Sequence, residues 1–164
     1  MRPERTEPGP GQESVWDYPR PPAIVPTTSL VRVVHRGVTI ASSTRTLRVL
    51  ETSQPPAFYV PRDDVDLSHL FKTRSRTYCE WKGAATYWAV QVDDDVVMDA
   101  AWSYESPNRA FVAIAHHVAF YAQKLDECWV DDERVQPNPG SFYGGWITSA
   151  VVGPFKGAHG TLDW

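Results

Sequence analysis

The side chains able to do chemistry cluster on or beside stretches that alternate like β-strands. Arg45 and Lys82 supply cations, Glu51 a carboxylate and Cys79 a thiol. Tyr59, Tyr87, Trp88, Trp102 and Tyr104 supply rings, three of them with hydroxyls. Such a set matches the usual small-molecule pocket, an apolar concavity holding a few convergent polar groups. A lysine withdrawn from water there is a candidate base or amine nucleophile. Cys79 precedes Lys82 by three residues, so an ammonium near the thiol makes it a candidate nucleophile; the competing reading is a small, buried, apolar cysteine. Glu51 is a candidate partner for Arg45 or Lys82. The plainer alternative for the whole set is a core of aromatics with ordinary surface cations.

Other chemistries find no footing. The Gly-x-x-x-x-Gly-Lys-Ser/Thr and Gly-x-Gly-x-x-Gly phosphate loops are absent, as is the Gly-x-Ser-x-Gly elbow. His116 and His117 are adjacent, so on a helix their side chains diverge by about 100° and do not share a metal. His35, His69 and His159 stand alone. Asp93-Asp94-Asp95 suits a hairpin turn, Asp63, Asp64 and Asp66 suit caps, and Asp131-Asp132-Glu133 a solvated surface. No metal and no cofactor are expected.

The elements that must position these groups are mainly strands. Residues 31–35 and 38–40 alternate around Arg36-Gly37, a hairpin pattern. Further strands are expected at 47–51, 57–60 and 74–80, and the strongest hairpin pairs 85–92 with 96–102 across the Asp triplet. Because side chains alternate along a strand, Tyr87 and Trp88 point to opposite faces, and only one lines any given pocket. One amphipathic helix is expected near 107–125. Ser106-Pro107 opens it, and Phe111, Ile114, Ala115, Val118, Ala122 and Leu125 form its apolar face. Trp129 is expected to anchor the core. The chain thus reads as mainly β, an α+β fold with one main helix.

Three regions follow. Residues 1–29 form a Pro-rich arm, disordered to about residue 12, in which Trp16 and Tyr18 are placed to dock on the domain. Residues 30–135 form the β-rich core. Residues 136–164 form a Gly/Pro-rich extension whose Phe142, Tyr143, Trp146, Phe155 and Trp164 call for packing on that core, with a short strand near 147–152. One local echo stands out. Trp81-Lys82-Gly83-Ala84 and Phe155-Lys156-Gly157-Ala158 both read aromatic, Lys, Gly, Ala. In each, the glycine is free to take a positive φ while the lysine projects.

Composition sets outer bounds. Apolar content is 42%, ordinary for one globular domain of 164 residues, and aromatic content is 12% with seven Trp, more than a core needs. A net charge of −4 argues against non-specific nucleic-acid binding, which needs many cations. Two cysteines are too few for a disulfide framework, and no apolar run is long enough for a membrane helix. A cytoplasmic location is the default expectation. Oligomeric state is not legible.

As a set, several motifs resemble a known family. They are Val38-Thr39-Ile40-Ala41-Ser42-Ser43, Arg45-x-x-x-x-x-Glu51-Thr52 and Pro56-x-x-Tyr59-x-Pro61-x-Asp63-Asp64-Val65, followed by Cys79-x-x-Lys82-Gly83-x-Ala85-x-Tyr87-Trp88 and Ala101-Trp102-Ser103-Tyr104-x-x-Pro107. The chain resembles the family catalogued as domain of unknown function 427, known mostly from bacteria and fungi. The tail from Phe142 to Gly157 is similar to an extension on some members. The resemblance implies a compact two-sheet β fold of the tent type, splayed around a pocket. The family sometimes carries a nucleotidyltransferase label. Such enzymes need a Gly-Ser followed by paired metal-binding aspartates, and no Asp pair follows Gly140-Ser141 here. Tent folds also often carry Cys-x-x-Cys zinc ligands, so this would be a metal-free version.

The leading functional reading is a domain that binds a small polar or anionic molecule in an aromatic-lined pocket. One alternative is a protein-interaction module using the arm or tail. The other is a nucleotide-handling enzyme that works through Lys82 or Cys79.

Overall fold

Alternation along the chain becomes two principal sheets. The computed structural model describes residues 2–164. In chain order the strands are β1 (Glu13–Ser14), β2 (Ala23–Pro26), β3 (Val31–His35), β4 (Val38–Ser43), β5 (Leu47–Leu50), β6 (Ala57–Pro61), β7 (Leu70–Cys79), β8 (Gly83–Val92), β9 (Asp95–Ser103), β10 (His117–Phe120), β11 (Glu127–Val130), β12 (Glu133–Arg134), β13 (Gln136–Pro137), β14 (Trp146–Ile147) and β15 (Val151–Val152). Seven pair in the order β2-β5-β6-β10-β9-β8-β7, antiparallel throughout. Four form a second sheet, β12-β11-β3-β4. The expected hairpins β3–β4 and β8–β9 are both present, each with one register shift.

Both faces of the large sheet are partly covered. Phe58, Val60, Trp88, Val90, Val118 and Phe120 pack on Val31, Val33 and Ile40 of the small sheet, forming the main core. The intervening residues turn the other way. Tyr59, Ala85, Trp102, Ala119 and Tyr121 form a second cluster with Tyr104, Phe111 and Ile114. This two-faced burial follows from the period of two along each strand.

The expected helix over 107–125 is not formed. Its first part is a 3-10 segment, Arg109–Ile114, preceded by Asn108 rather than capped by Ser106. His116 then takes φ +60, which ends any helical run, and β10 follows. The three-residue step from Phe111 to Ile114 suits a 3-10 turn equally well. The four-residue step from Ile114 to Val118 is a coincidence of two elements. Tertiary context overrides local pattern here, because β10 fills the gap between β6 and β9, and a helix would leave two central strands unpaired. Two smaller expectations also change. Trp129 is half-buried on β11 with Arg32 over its ring, and in place of one strand near 147–152 stand two short ones, Trp146–Ile147 and Val151–Val152.

The chain ends meet. β1 runs parallel to β15, and Val15, Trp16 and Tyr18 pack with Leu50 and Val151 in a third cluster. The Trp16 indole donates to the Pro154 carbonyl at 2.8 Å. Thr6 N–H donates to the Gly153 carbonyl, so the arm around Thr6 also lies along the domain.

Candidate functional site

The second face of the large sheet is the floor of a cavity of about 490 Å³. Register explains its shape. Tyr87 pairs with Trp102, Trp102 with Ala119, and the β10–β6 register carries the row on to Tyr59. Two large rings therefore flank a methyl group. The Trp102 indole leans across Ala119 and donates to the Tyr59 hydroxyl at 3.0 Å, the two rings standing edge to face at 6.0 Å. Tyr121 packs 4.5 Å from Trp102, and Tyr104 lies 6.4 Å from Tyr59.

The far wall comes from the tail. Gly144 lies flat on Trp102, where a Cβ would stand 2.3 Å from the indole edge. Phe142 and Tyr143 continue this wall, held by hydrogen bonds from Tyr121 and Gln123 to their carbonyls. Tyr78 and Phe142 are the exposed rings at the rim.

Two lysines face the cavity, and they come from the two echoed tetrapeptides. Lys82 sits in the β7–β8 turn and Lys156 in the tail. Gly83 has φ +103 and Gly157 φ +144, conformations that side chains rarely adopt. Each turn is gripped by an asparagine that follows a proline. Asn108 donates its backbone N–H to the Lys82 carbonyl at 2.9 Å and its amide to the Trp81 carbonyl at 3.0 Å. Asn138 donates its amide to the Lys156 carbonyl at 3.0 Å, and Lys156 N–H donates to Ser53 at 2.8 Å. The lysine backbones are thus fixed, and their ammonium groups are what remain free to respond to a ligand.

Lys82 is only 9% exposed. Its side-chain contacts are the Cys79 sulfur at 3.5 Å and the face of Tyr104 at 5.8 Å. Lys156 lies over the Tyr143 ring at 5.2 Å. Among the described residues, no carboxylate comes within ion-pairing distance of either ammonium. Burial pushes the Tyr59, Tyr104 and Tyr121 phenols above their ordinary range, and neighbouring hydroxyls add to the effect at Tyr104 and Tyr121. They remain neutral at physiological pH. The site accordingly offers hydroxyls and ammonium groups over an aromatic floor.

The structure brings together Tyr59, Cys79, Lys82, Tyr87, Trp102 and Tyr104, and Glu51 lies on the same wall. Glu51 faces Arg20 at 3.7 Å, not Arg45 or Lys82. Arg45 is elsewhere. Exposed on the surface, it pairs with Asp64 at 2.9 Å, and that pairing holds the Asp64 carboxyl below its usual range. Trp88 points to the inter-sheet core and donates to Ser103 at 2.9 Å, so of the adjacent pair it is Tyr87 that lines the cavity. Sequence reasoning missed Lys156, Tyr121 and the 142–145 wall as site residues. The tetrapeptide echo was the available signal for Lys156; Tyr121 was hidden by the helical reading of its segment.

The acidic clusters have structural partners. Asp95 pairs with His35, Asp64 accepts from Ser43 and Arg45, and Asp66 caps Leu67–His69. Among the described residues, no three His, Cys, Asp or Glu side chains gather at one point.

Comparison with known proteins adds one match. A family model described as Domain of unknown function (DUF427) matches residues 23–131. No curated protein matches the chain. The matched span holds the sheet floor and Lys82, and it stops short of Lys156 and the aromatic wall.

Proposed function

The chain belongs to the family of domain of unknown function 427, a description that names no activity, and from the cavity we propose that it binds a small anionic molecule with an apolar or aromatic body. The observation that carries this reading is Lys82, a residue nine-tenths buried whose ammonium faces the cavity and has, among the described residues, no carboxylate partner. Withdrawing a charge from water costs several kcal/mol unless another charge or a set of hydrogen bonds compensates it. A sulfur atom and a tyrosine face compensate only in part. An anion in the cavity supplies the rest, with Trp102, Tyr59 and Tyr121 against its body and the phenol hydroxyls as neutral donors.

The test is a thermal-shift screen of aryl carboxylates, aryl phosphates and nucleoside monophosphates against the native chain and Lys82→Met. At least one anion should raise the melting temperature of the native chain and leave Lys82→Met unmoved, while its neutral analogue moves neither. Equal responses from both proteins, or none from either, overturn the reading.

An enzymatic reading draws on one contact, that of Lys82 with Cys79. A thiol beside an ammonium is positioned to attack the carbonyl carbon of a bound thioester, taking its acyl group onto Cys79 and releasing the thiol it displaces. A covalent adduct on Cys79, seen by intact mass after incubation with aryl thioesters, would favour it over binding alone.

A further inference from the structure

Resting on the reading of the cavity as an anion site, we infer that its ligand carries two anionic groups at opposite ends of a flat apolar body, one held by Lys82 and the other by Lys156.

The register separates the two lysines. Tyr87, Trp102, Ala119 and Tyr59 lie in one row across the sheet. Lys82 stands in the turn beyond the Gly83 end of β8. Because Thr86 pairs with Ser103, and Val118 with Val60, that end of β8 lies toward the Pro61 end of β6. Lys156 is anchored on Ser53, in the connection that enters β6 at Ala57. The two anchors therefore lie on opposite sides of the row, and their ammonium groups rest on different rings, Lys82 over Tyr104 and Lys156 over Tyr143.

The two anchors are built alike. Each has an aromatic-Lys-Gly-Ala turn, a glycine at positive φ and an asparagine amide on a turn carbonyl. Among the described residues, only aromatic faces and one sulfur attend the two ammonium groups. The carboxylates on the same walls do not cancel them. Glu51 is turned to Arg20, and Glu80 is exposed. A rigid ring with an anionic group at each end matches a floor of rings with a cation on each side.

Calorimetry with isophthalate and terephthalate, each compared with its monomethyl ester, tests this. The esters keep the ring and one carboxylate and lose one charge. The native chain should bind at least one diacid about tenfold more tightly than its ester, the size of one charge-assisted hydrogen bond. Lys156→Met should bind diacid and ester within twofold of each other, at the affinity the native chain shows for the ester. Lys156→Arg should restore the preference. Equal binding of diacid and ester by the native chain overturns the two-anion inference and leaves the anion site standing. So does Lys156→Met weakening both probes alike. Binding of neither probe, with Lys82→Met also indifferent, counts against the anion site itself.

Discussion

The Nζ of Lys82 lies 3.5 Å from the Sγ of Cys79, across a turn that Asn108 grips at two carbonyls. The other cysteine is unlike it. Cys128 is 3% exposed in the main core, and burial pushes its thiol up to about 12. Thiolate is the reactive form, so the two sites should differ in rate. Iodoacetamide at neutral pH should alkylate Cys79 at least tenfold faster than Cys128, read by peptide mass, and Cys128 should react only when the chain unfolds. A cavity-bound anion should slow the reaction at Cys79. Equal rates at the two cysteines would refute this picture of the site.

The bond from Trp102 to Tyr59 joins two buried rings across Ala119. Tyr59→Phe keeps the ring and removes the acceptor, leaving a buried indole N–H without a partner, at a cost of about 1–3 kcal/mol. Trp102→Phe removes the donor and some packing. In urea unfolding the double variant should cost less than the two single variants summed, by about 1 kcal/mol. Strict additivity would show that the bond contributes nothing.

Gly157 and Gly37 separate crowding from backbone strain. Both have positive φ, but a Cβ on Gly37 meets nothing within 4 Å, whereas one on Gly157 would stand 2.1 Å from the Pro139 carbonyl oxygen. Gly37→Ala should cost about 1 kcal/mol from strain alone. Gly157→Ala should lift the tail as well, making residues after 139 sensitive to protease while the core strands keep their amide-exchange protection. A protease-resistant tail in Gly157→Ala would show that this clamp is dispensable.

Docking of the arm should depend on acid. Arg48 hydrogen-bonds the Glu13 carboxylate at 2.8 Å and, with a smaller share from the Tyr18 hydroxyl, holds it below its ordinary value near 4.5. A carboxyl whose folded value is depressed stabilises the docked form fully above the unfolded value and loses that contribution as pH falls through the folded value. The Trp16 indole resonance, bonded to Pro154 in the docked arm, should therefore move toward its free position below about pH 4.5. Glu13→Gln should remove that step from the titration. An identical acid titration in the variant would place the titrating group elsewhere.

The sequence by itself determined the strands and their faces. Alternation over 31–35, 85–92 and 96–102 reads directly as pleated backbone, and the opposite orientations of Tyr87 and Trp88 follow from it. It also marked Lys82, Cys79, Tyr59, Trp102 and Tyr104 as neighbours in kind. Only the tertiary structure decided which of them meet. Arg45 turned out to face Asp64, Trp88 the core, and His117–Phe120 a gap between two strands, not a helix surface. Lys156 joined Lys82 through a register and a chain reversal spanning most of the molecule. The reason is range. Periodicity is a property of a few consecutive residues and fixes the face of one strand. Sharing a cavity depends on how distant strands pair and where the tail returns, and these are settled by which arrangement buries the most apolar surface with its backbone groups paired.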